Sequence, residues 1–419
     1  PRRRQLVWCH RATRRYISRV SSSPAAASPS FRLAALLTTL VALGPLSTDL
    51  YLPSLPTLAA VFSTDAARVQ LTLSVFLAGF AVGQLVYGAL SDRFGRRPVM
   101  LGGLALYLLA SVACLFAQSI SMLIAARFVQ ALGACAGPVL GRAIVRDVWG
   151  PVEAVRVLAY VSGSMALAPL VGPTLGGFLT VWFGWQSNFV LLALFSALQI
   201  AAVWYWLGES NQHLDRSATQ PGRIIKNFAI LLVDRNYLGY LLALSFSYSA
   251  LFAFISGSSF VLSTRFGLSP QVFGMCFGLV VAGYVSGSML SGRLVRRYGG
   301  DHLLHVGGWI GAFAGAVMWG LERVGVHHLV AVLAPMFFVT LSIGLVMSNA
   351  VGRALAPYPK MAGAASSLMG FCQMSMAALV GTLVGHGVDS GATVLSMTVA
   401  LCSMLVPLSY LALVRHNEP

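Results

Sequence analysis

GALSDRFGRRP, residues 88–98, joins two long apolar runs, near 69–90 and 99–117, and the order of its residues is the most informative feature of the chain. Each flanking run has the roughly 20 apolar residues that a membrane-crossing helix needs. Gly88 allows close approach of a neighbouring helix, Gly95 permits a tight turn and Pro98 opens the next helix. Arg93, Arg96 and Arg97 suit a loop that anchors on anionic lipid. A merely basic loop would not need Gly, Asp92 and Gly in that order. Outward from this loop, apolar runs recur near 32–52, 121–144, 154–181, 186–207, 236–263, 271–291, 302–321, 327–352, 362–385 and 392–414. With the two around the loop they predict about twelve spans.

Composition agrees with that reading. Hydrophobic residues make up 57% of the 419 residues and charged ones 10%, so a soluble domain of this chain would have little polar surface to present to water. The runs are apolar throughout rather than alternating over about ten residues, which excludes a transmembrane β-barrel. The net charge of +16 would suit nucleic acid, but its distribution does not. If the N-terminus is cytoplasmic, the inner segments carry 24 of the 28 Lys and Arg, while the outer loops carry only Arg68, Arg265 and Arg323. Arg127 lies inside a span. This bias predicts that both termini are cytoplasmic. Of the six Cys, Cys9 is in the tail and Cys114, Cys135, Cys276, Cys372 and Cys402 fall in separate spans, so neither a disulfide nor a metal is expected.

Residues 1–30 are rich in Arg and Ser and lack acids, the composition of a mitochondrial transit peptide. A disordered basic tail, or an upstream stretch translated from a misplaced start, is the preferred reading. The longest connector, 208–235, divides the spans into bundles at 31–207 and 236–414, with a short tail at 415–419. An internal repeat supports the division. GALSDRFGRR at 88–97 aligns with SMLSGRLVRR at 288–297, sharing Leu, Ser and three Arg. The expected fold is therefore an all-α integral membrane protein of two six-helix bundles; this resembles the architecture of major facilitator transporters, which implies a central cavity with the substrate path between the halves.

Three spans carry chemistry. In the first, GPLSTDLYLPSLPTLA (44–59) places Asp49 as the only acid well inside the bilayer. Desolvation disfavours the charged carboxylate, which makes reversible protonation feasible. The competing reading puts Asp49 among outer headgroups, since Tyr51 and Pro53 are close by. In the fourth, RFVQALGACAGPVLGRAIVRD (127–147) buries Arg127 about 10 Å from the outer end, at 1.5 Å per residue from Ile120. A buried charge needs a partner or a wet cavity, unless it snorkels outward. Gly133, Ala134, Ala136 and Gly137 form a small-residue packing face. In the fifth, LAPLVGPTLGGFL (167–179) has Pro169, Gly172, Pro173, Gly176 and Gly177, a bend with a small face. Asp49 and Arg127 sit on helices of opposite direction, each in the outer half, so they are expected to meet. Asp92 sits where a cytoplasmic helix N-terminus, such as that of span eleven, would attract a carboxylate.

The 88–98 loop resembles the loop 2–3 signature of the major facilitator superfamily, span four its Arg-containing proton-coupling motif, and span five the antiporter motif of its exporters. Ala168 stands where that motif begins with Gly. TDLYLPSLP, RAIVRD, FISGSSFVL (254–262) and AGAASSLMGFCQM (362–374) together resemble the bicyclomycin and chloramphenicol resistance (Bcr/CflA) group of twelve-span drug:proton antiporters. The resemblance covers residues 31–414. It departs at Ser259 and Ser348, where relatives are expected to carry Pro, and at Val41, where some carry a second acid.

The resemblance implies a proton-driven exporter of small amphipathic drugs that works by alternating access without a cofactor. Its implied partners are the drug, protons and the lipid bilayer of the cell inner membrane, with no nucleic acid, and it is expected to be a monomer. Asp49 and Arg127 would couple protons. Gly88, Asp92, Arg93, Gly95, Arg96, Gly172 and Pro173 would gate the conformational change. Candidate substrate contacts are Gln130, Tyr248, Phe252, Asn349 and Gln373, joined by Met165 and Pro169 through the resemblance. A proton-coupled carrier of a metabolite such as a nucleobase or sugar is the alternative, because the same scaffold serves importers. An integral-membrane enzyme would need clustered His, Asp, Glu or Cys near one face, and the sequence offers only the adjacent His327 and His328.

Overall fold

The computed structural model describes residues 31–165, 167–212, 214–215, 219–387 and 392–414. The expected tails, 1–30 and 415–419, lie outside the described residues. The helices are α1 (Phe31–Asp49), α2 (Leu55–Val61), α3 (Ala66–Phe94), α4 (Arg96–Leu115), α5 (Ile120–Ala134), α6 (Ala136–Met165), α7 (Leu167–Phe183), α8 (Gln186–Trp206), α9 (Pro221–Val233), α10 (Arg235–Phe266), α11 (Pro270–Tyr298), α12 (Gly300–Arg323), α13 (Leu329–Leu355), α14 (Ala362–Gly387) and α15 (Ala392–Leu413). Among the described residues no strand is present.

Among the described residues, eleven helical stretches are long and apolar enough to cross a membrane. The expected span at 154–181 falls on the second arm of α6 and on α7, and Ala166 between them lies outside the described residues. α6 breaks at Gly150 (φ 69°, ψ 175°), so its first arm completes the crossing Ile120–Gly150 and its second arm leads to α7. The apolar part of α7, Ala168–Phe183, is shorter than the other crossings. Pro169 and Pro173 withhold backbone N–H groups there, which weakens the helix where the sequence suggested one continuous run. Helices alternate in direction, so 94–96, 206–235, 298–300 and 355–362 share one membrane face, called here the linker face. The opposite side is the far face.

The repeat is real, but its register is not 88 against 288. α3 and α11 are both 29 residues long. Asp65 and Ser269 cap them by accepting the backbone N–H of Arg68 and Val272. Both end on glycines held at positive φ, Gly95 (98°, 155°) and Gly299 (79°, 158°). This pairs Gly95 with Gly299, Arg93 with Arg297, Gly88 with Gly292 and Gly83 with Gly287, four residues away from the alignment by Leu, Ser and Arg. A helix-ending glycine at positive φ is a backbone requirement. Arginines in a basic loop can slide along the sequence, so they aligned the wrong turn.

The two halves meet along two seams, α3 against α14 and α7 against α11. At the α7–α11 seam the backbones nearly touch. A Cβ on Gly177 would come 2.5 Å from the Pro270 carbonyl, and one on Gly274 2.6 Å from that of Pro173. Near the far face Gln70 of α3 donates to the Ser256 carbonyl of α10 (2.6 Å) and accepts from Ser256 Oγ (3.0 Å), while that hydroxyl also reaches the Gly381 carbonyl of α14 at 3.2 Å. Three helices are thereby tied at one buried point across the two halves. Overpacking a close helix contact costs about 1–3 kcal/mol. Gly274→Val is therefore expected to lower the melting temperature in detergent, whereas Gly102→Val, with no atom within 4 Å of its Cβ, leaves it unchanged. Equal melting temperatures would show that the seam tolerates the extra volume.

Candidate functional site

The first crossing is broken where its polar residues lie. α1 contains Pro45 and ends at Asp49, a 3-10 turn follows at Leu52–Ser54, and α2 resumes at Leu55. Pro53 and Pro56 cannot donate to the preceding turn, so the carbonyls at the end of α1 lose their helical partners. Asp49 is 3% exposed. Thr48 Oγ1 lies 3.3 Å from its Oδ1 and 2.9 Å from the Pro45 carbonyl. Gly172 of α7 brings that helix onto the break, where a Cβ would sit 3.1 Å from the Cβ of Asp49. Among the described residues no cation pairs with Asp49.

Arg127 does not meet Asp49, contrary to expectation. Its side chain is wholly buried on α5, and Nη1 donates to the Ser47 carbonyl at 3.1 Å and to Gln130 Oε1 at 2.5 Å. Ser47 and Asp49 are two residues apart, about 200° around a helix, so Arg127 grips the back of α1 while Asp49 points the other way. Tyr51, Phe76 and Phe189 enclose the guanidinium at 5.0, 4.3 and 5.9 Å. Their ring faces supply the attraction that a carboxylate would otherwise provide. The chain of contacts continues through Gln130 Nε2 to Ser111 Oγ (2.8 Å), Ser111 Oγ to the Tyr107 carbonyl (2.8 Å), and Tyr107 Oη beside Ser47 Oγ (2.6 Å). Among the described residues Arg127 Nε and Nη2 have no hydrogen-bond partner. The sequence reading missed Ser47, Tyr107 and Ser111. Tyr107 and Ser111, four apart in an apolar run, were the available signal.

At the linker face the Asp92 carboxylate accepts from Arg96 Nη1 at 2.5 Å, within its own loop. Arg96 also reaches Asp147 of α6 at 3.0 Å and Ser91 Oγ at 2.6 Å. Arg93 donates to Thr219 Oγ1 at 2.9 Å. Gly95 has no side chain to cap α4, and Glu209 does it from the linker, accepting the backbone N–H of Arg96 (2.9 Å) and Arg97 (3.1 Å). A carboxylate is favoured at that helix end by the macrodipole. Glu209 was legible only as part of a polar connector. A Cβ on Gly88 would sit 3.9 Å from Ser367 Oγ of α14, and Pro173 presents its carbonyl to Gly274.

The expected substrate contacts separate. Tyr248 of α10 is only partly buried and lies within electrostatic reach of Asp49 and Tyr284. Phe252 is buried in the notch at Gly381, inside the seam between the halves. Pro169 is half-buried and Gln373 is buried. The side chain of Met165 lies outside the described residues. Gln130 is not available, because both ends of its amide are used within the Arg127 network. Asn349 is also engaged within its own half, donating to Ser291 Oγ (2.9 Å) and the Leu345 carbonyl (2.6 Å). A buried amide seeks internal partners, which made both look like ligand contacts from sequence.

The family model described as Major Facilitator Superfamily matches residues 37–381. The chain is 35% identical to an uncharacterized MFS-type transporter, YdgK, of Bacillus subtilis, over 84% of this chain and 88% of that protein. It is 31% identical to a bicyclomycin resistance protein homolog of Haemophilus influenzae, over 90% and 94% of the two chains. In three dimensions it is similar to a D-xylose-proton symporter, with a TM-score of 0.74 at 15% identity over 93% of this chain and 99% of that one. A broken first helix, glycine-lined seams between two helical halves and a family match along most of its length converge: this chain belongs to the Major Facilitator Superfamily and is a multi-pass membrane transporter.

Proposed function

We propose that the protein is a proton-coupled exporter of small amphipathic drugs, such as antibiotics, in the cell inner membrane, with its linker face cytoplasmic. The observation that carries this reading is Asp49, a buried carboxylate with no cation partner among the described residues, set at the helix break and against the α7 glycines. Similarity to a bicyclomycin resistance protein homolog supports the drug class. The excess of Lys and Arg on the linker face supports the orientation.

In this mechanism a proton from the far side neutralises the Asp49 carboxylate as drug leaves, and release of that proton to the linker side restores the anion. Neutralising the acid removes the penalty for a charge at a closing, drying interface. Arg127 acts as a positioning residue, since its bond to the Ser47 carbonyl fixes the end of α1 from which Asp49 projects. Asp92, Arg96 and Asp147 form a charged latch whose rearrangement accompanies opening and closing of the linker face. Exchanging one proton for an uncharged drug across 100 mV supplies about 2.3 kcal/mol, which sustains a drug gradient of about fiftyfold.

Drug flux into inside-out proteoliposomes tests the reading. Uptake should follow an imposed pH gradient and, for a neutral drug, an imposed membrane potential as well. Uptake of a sugar or nucleobase with no drug flux would assign the site to a metabolite instead. Asp49→Asn keeps the shape and removes the titratable proton. The variant is expected to insert normally and lose uphill transport, and undiminished uphill transport would remove Asp49 from coupling.

Arg127→Lys keeps the charge but loses the planar guanidinium that Tyr51, Phe76 and Phe189 enclose. It should slow transport by an order of magnitude or more and shift its pH profile, while Arg68→Lys at the far face does neither. Asp92→Asn should leave drug affinity near wild type and slow the cycle. A collapse of affinity with normal turnover per bound drug would place Asp92 in the binding site.

A further inference from the structure

The connector between the halves is not a plain polar loop. Its first part belongs to the N-terminal half, through Glu209 on the start of α4, Asn211 Nδ2 on the Ser91 and Asp92 carbonyls and Thr219 on Arg93. Its second part is α9, thirteen residues that pack on α10 and α14 of the other half. Ile224, Asn227, Phe228 and Leu231 recur at helical spacing, and each is partly or fully buried. Phe228 lies with Leu355, Tyr358 and Met361 over the cluster at the linker-face ends of those helices.

Apart from Lys226, the other large side chains described on α9 are apolar and uncovered. Ile225 is 66% exposed, Ile230 47%, Leu232 45% and Val233 81%. A surface helix bathed in water would carry polar residues on this side. At about 1.5 Å per residue α9 is roughly 20 Å long, too short for a hydrocarbon core of about 30 Å, so it cannot cross. It runs into α10 after a single intervening residue, Asp234, which places it at the membrane boundary. The exposed charges beside it are Lys226 and Arg235, and neither is in an ion pair among the described residues. The nearby acid is already engaged. Asp234 accepts the backbone N–H of Asn236 and Tyr237, which caps α10, and the hydroxyl of Tyr358.

We propose that α9 lies flat in the linker-side leaflet, with Ile225, Leu232 and Val233 among the acyl chains and Lys226 and Arg235 on anionic phospholipid headgroups. Short amphipathic helices with a basic rim bind membrane interfaces in this way, and lysine reaches the headgroups by extending its stem along the apolar side. The linker then has two anchors, one on the N-terminal half and one in the lipid beside the C-terminal half. Any relative motion of the halves must be taken up by the residues between them.

Spin labels on the full chain test this without reference to transport, so the outcome is separate from that of the proposed activity. Ile225→Cys, Leu232→Cys and Val233→Cys, in a chain whose six native cysteines are replaced, are reconstituted in phosphatidylcholine with phosphatidylglycerol. Collisions with oxygen should exceed those with a water-soluble nickel chelate at all three, as at Leu401 on the lipid-facing side of α15. The reverse order is expected at Gln220. Nickel access at the three sites would overturn the proposal, and dipolar broadening between copies would assign the face to a second chain. If the cysteine-free chain does not fold, photoactivatable phosphatidylglycerol on the wild-type protein gives the same answer. Adducts are expected within 221–235, and their absence there, with adducts on other spans, would overturn the assignment. Lys226→Glu with Arg235→Glu should reduce the yield on α9 severalfold and leave it unchanged on α15.

Discussion

A backbone carbonyl freed inside a bilayer has no water to turn to, and this constraint organises the N-terminal half. Prolines around 45–56 break the first crossing, leaving carbonyls that need a donor. Arg127 supplies one from α5, and α7 covers the break with glycines, which leave its backbone close enough to shield what remains. The cation is then obliged to stay buried, and three aromatic rings together with Gln130 make that tolerable. Asp49 inherits its position from this arrangement. It projects from a fixed helix end into a place where, among the described residues, no cation pairs with it.

The same small residues that shield the break also build the joint between the halves. Along α7 and α11 carbonyls of one helix lie against glycines of the other. Such a surface can separate and re-form with little side-chain rearrangement, a property that alternating access demands of an interface. The far-face knot of Gln70, Ser256 and Gly381 is different in kind, because it is directional and is lost as soon as the helices part. The charged loop at the linker face complements it. There the bonds run within one half and onto the linker, so that surface is held by electrostatics at the edge of water, where each pair is worth little alone and more as a network.

Much of this was readable in advance. Span count, membrane class, the excess of positive charge on one face and the special status of Asp49 and Arg127 follow from residue order alone, because bilayer thickness and the cost of burying charge impose them on any fold. The break that precedes the fifth span shows the limit. Hydropathy averages over a run of residues and cannot register a single glycine at φ 69° in the helix before it.

What the sequence by itself determined is which residues must be exceptional. What only the tertiary structure decided is what they touch. Arg127 and Asp49 share a depth but look out of opposite sides of α1, a matter of 200° of helix rotation that no composition argument resolves. Gln130 and Asn349 looked like ligand contacts because a buried amide demands partners, and packing gave those partners to Ser111 and Ser291. Glu209 and α9 were hidden in a connector that reads as polar, since the role of a residue there depends on which half lies beneath it. Hydrogen bonds across long separations are fixed by the packing of whole helices, and packing is set by backbone approach distances that the sequence only permits.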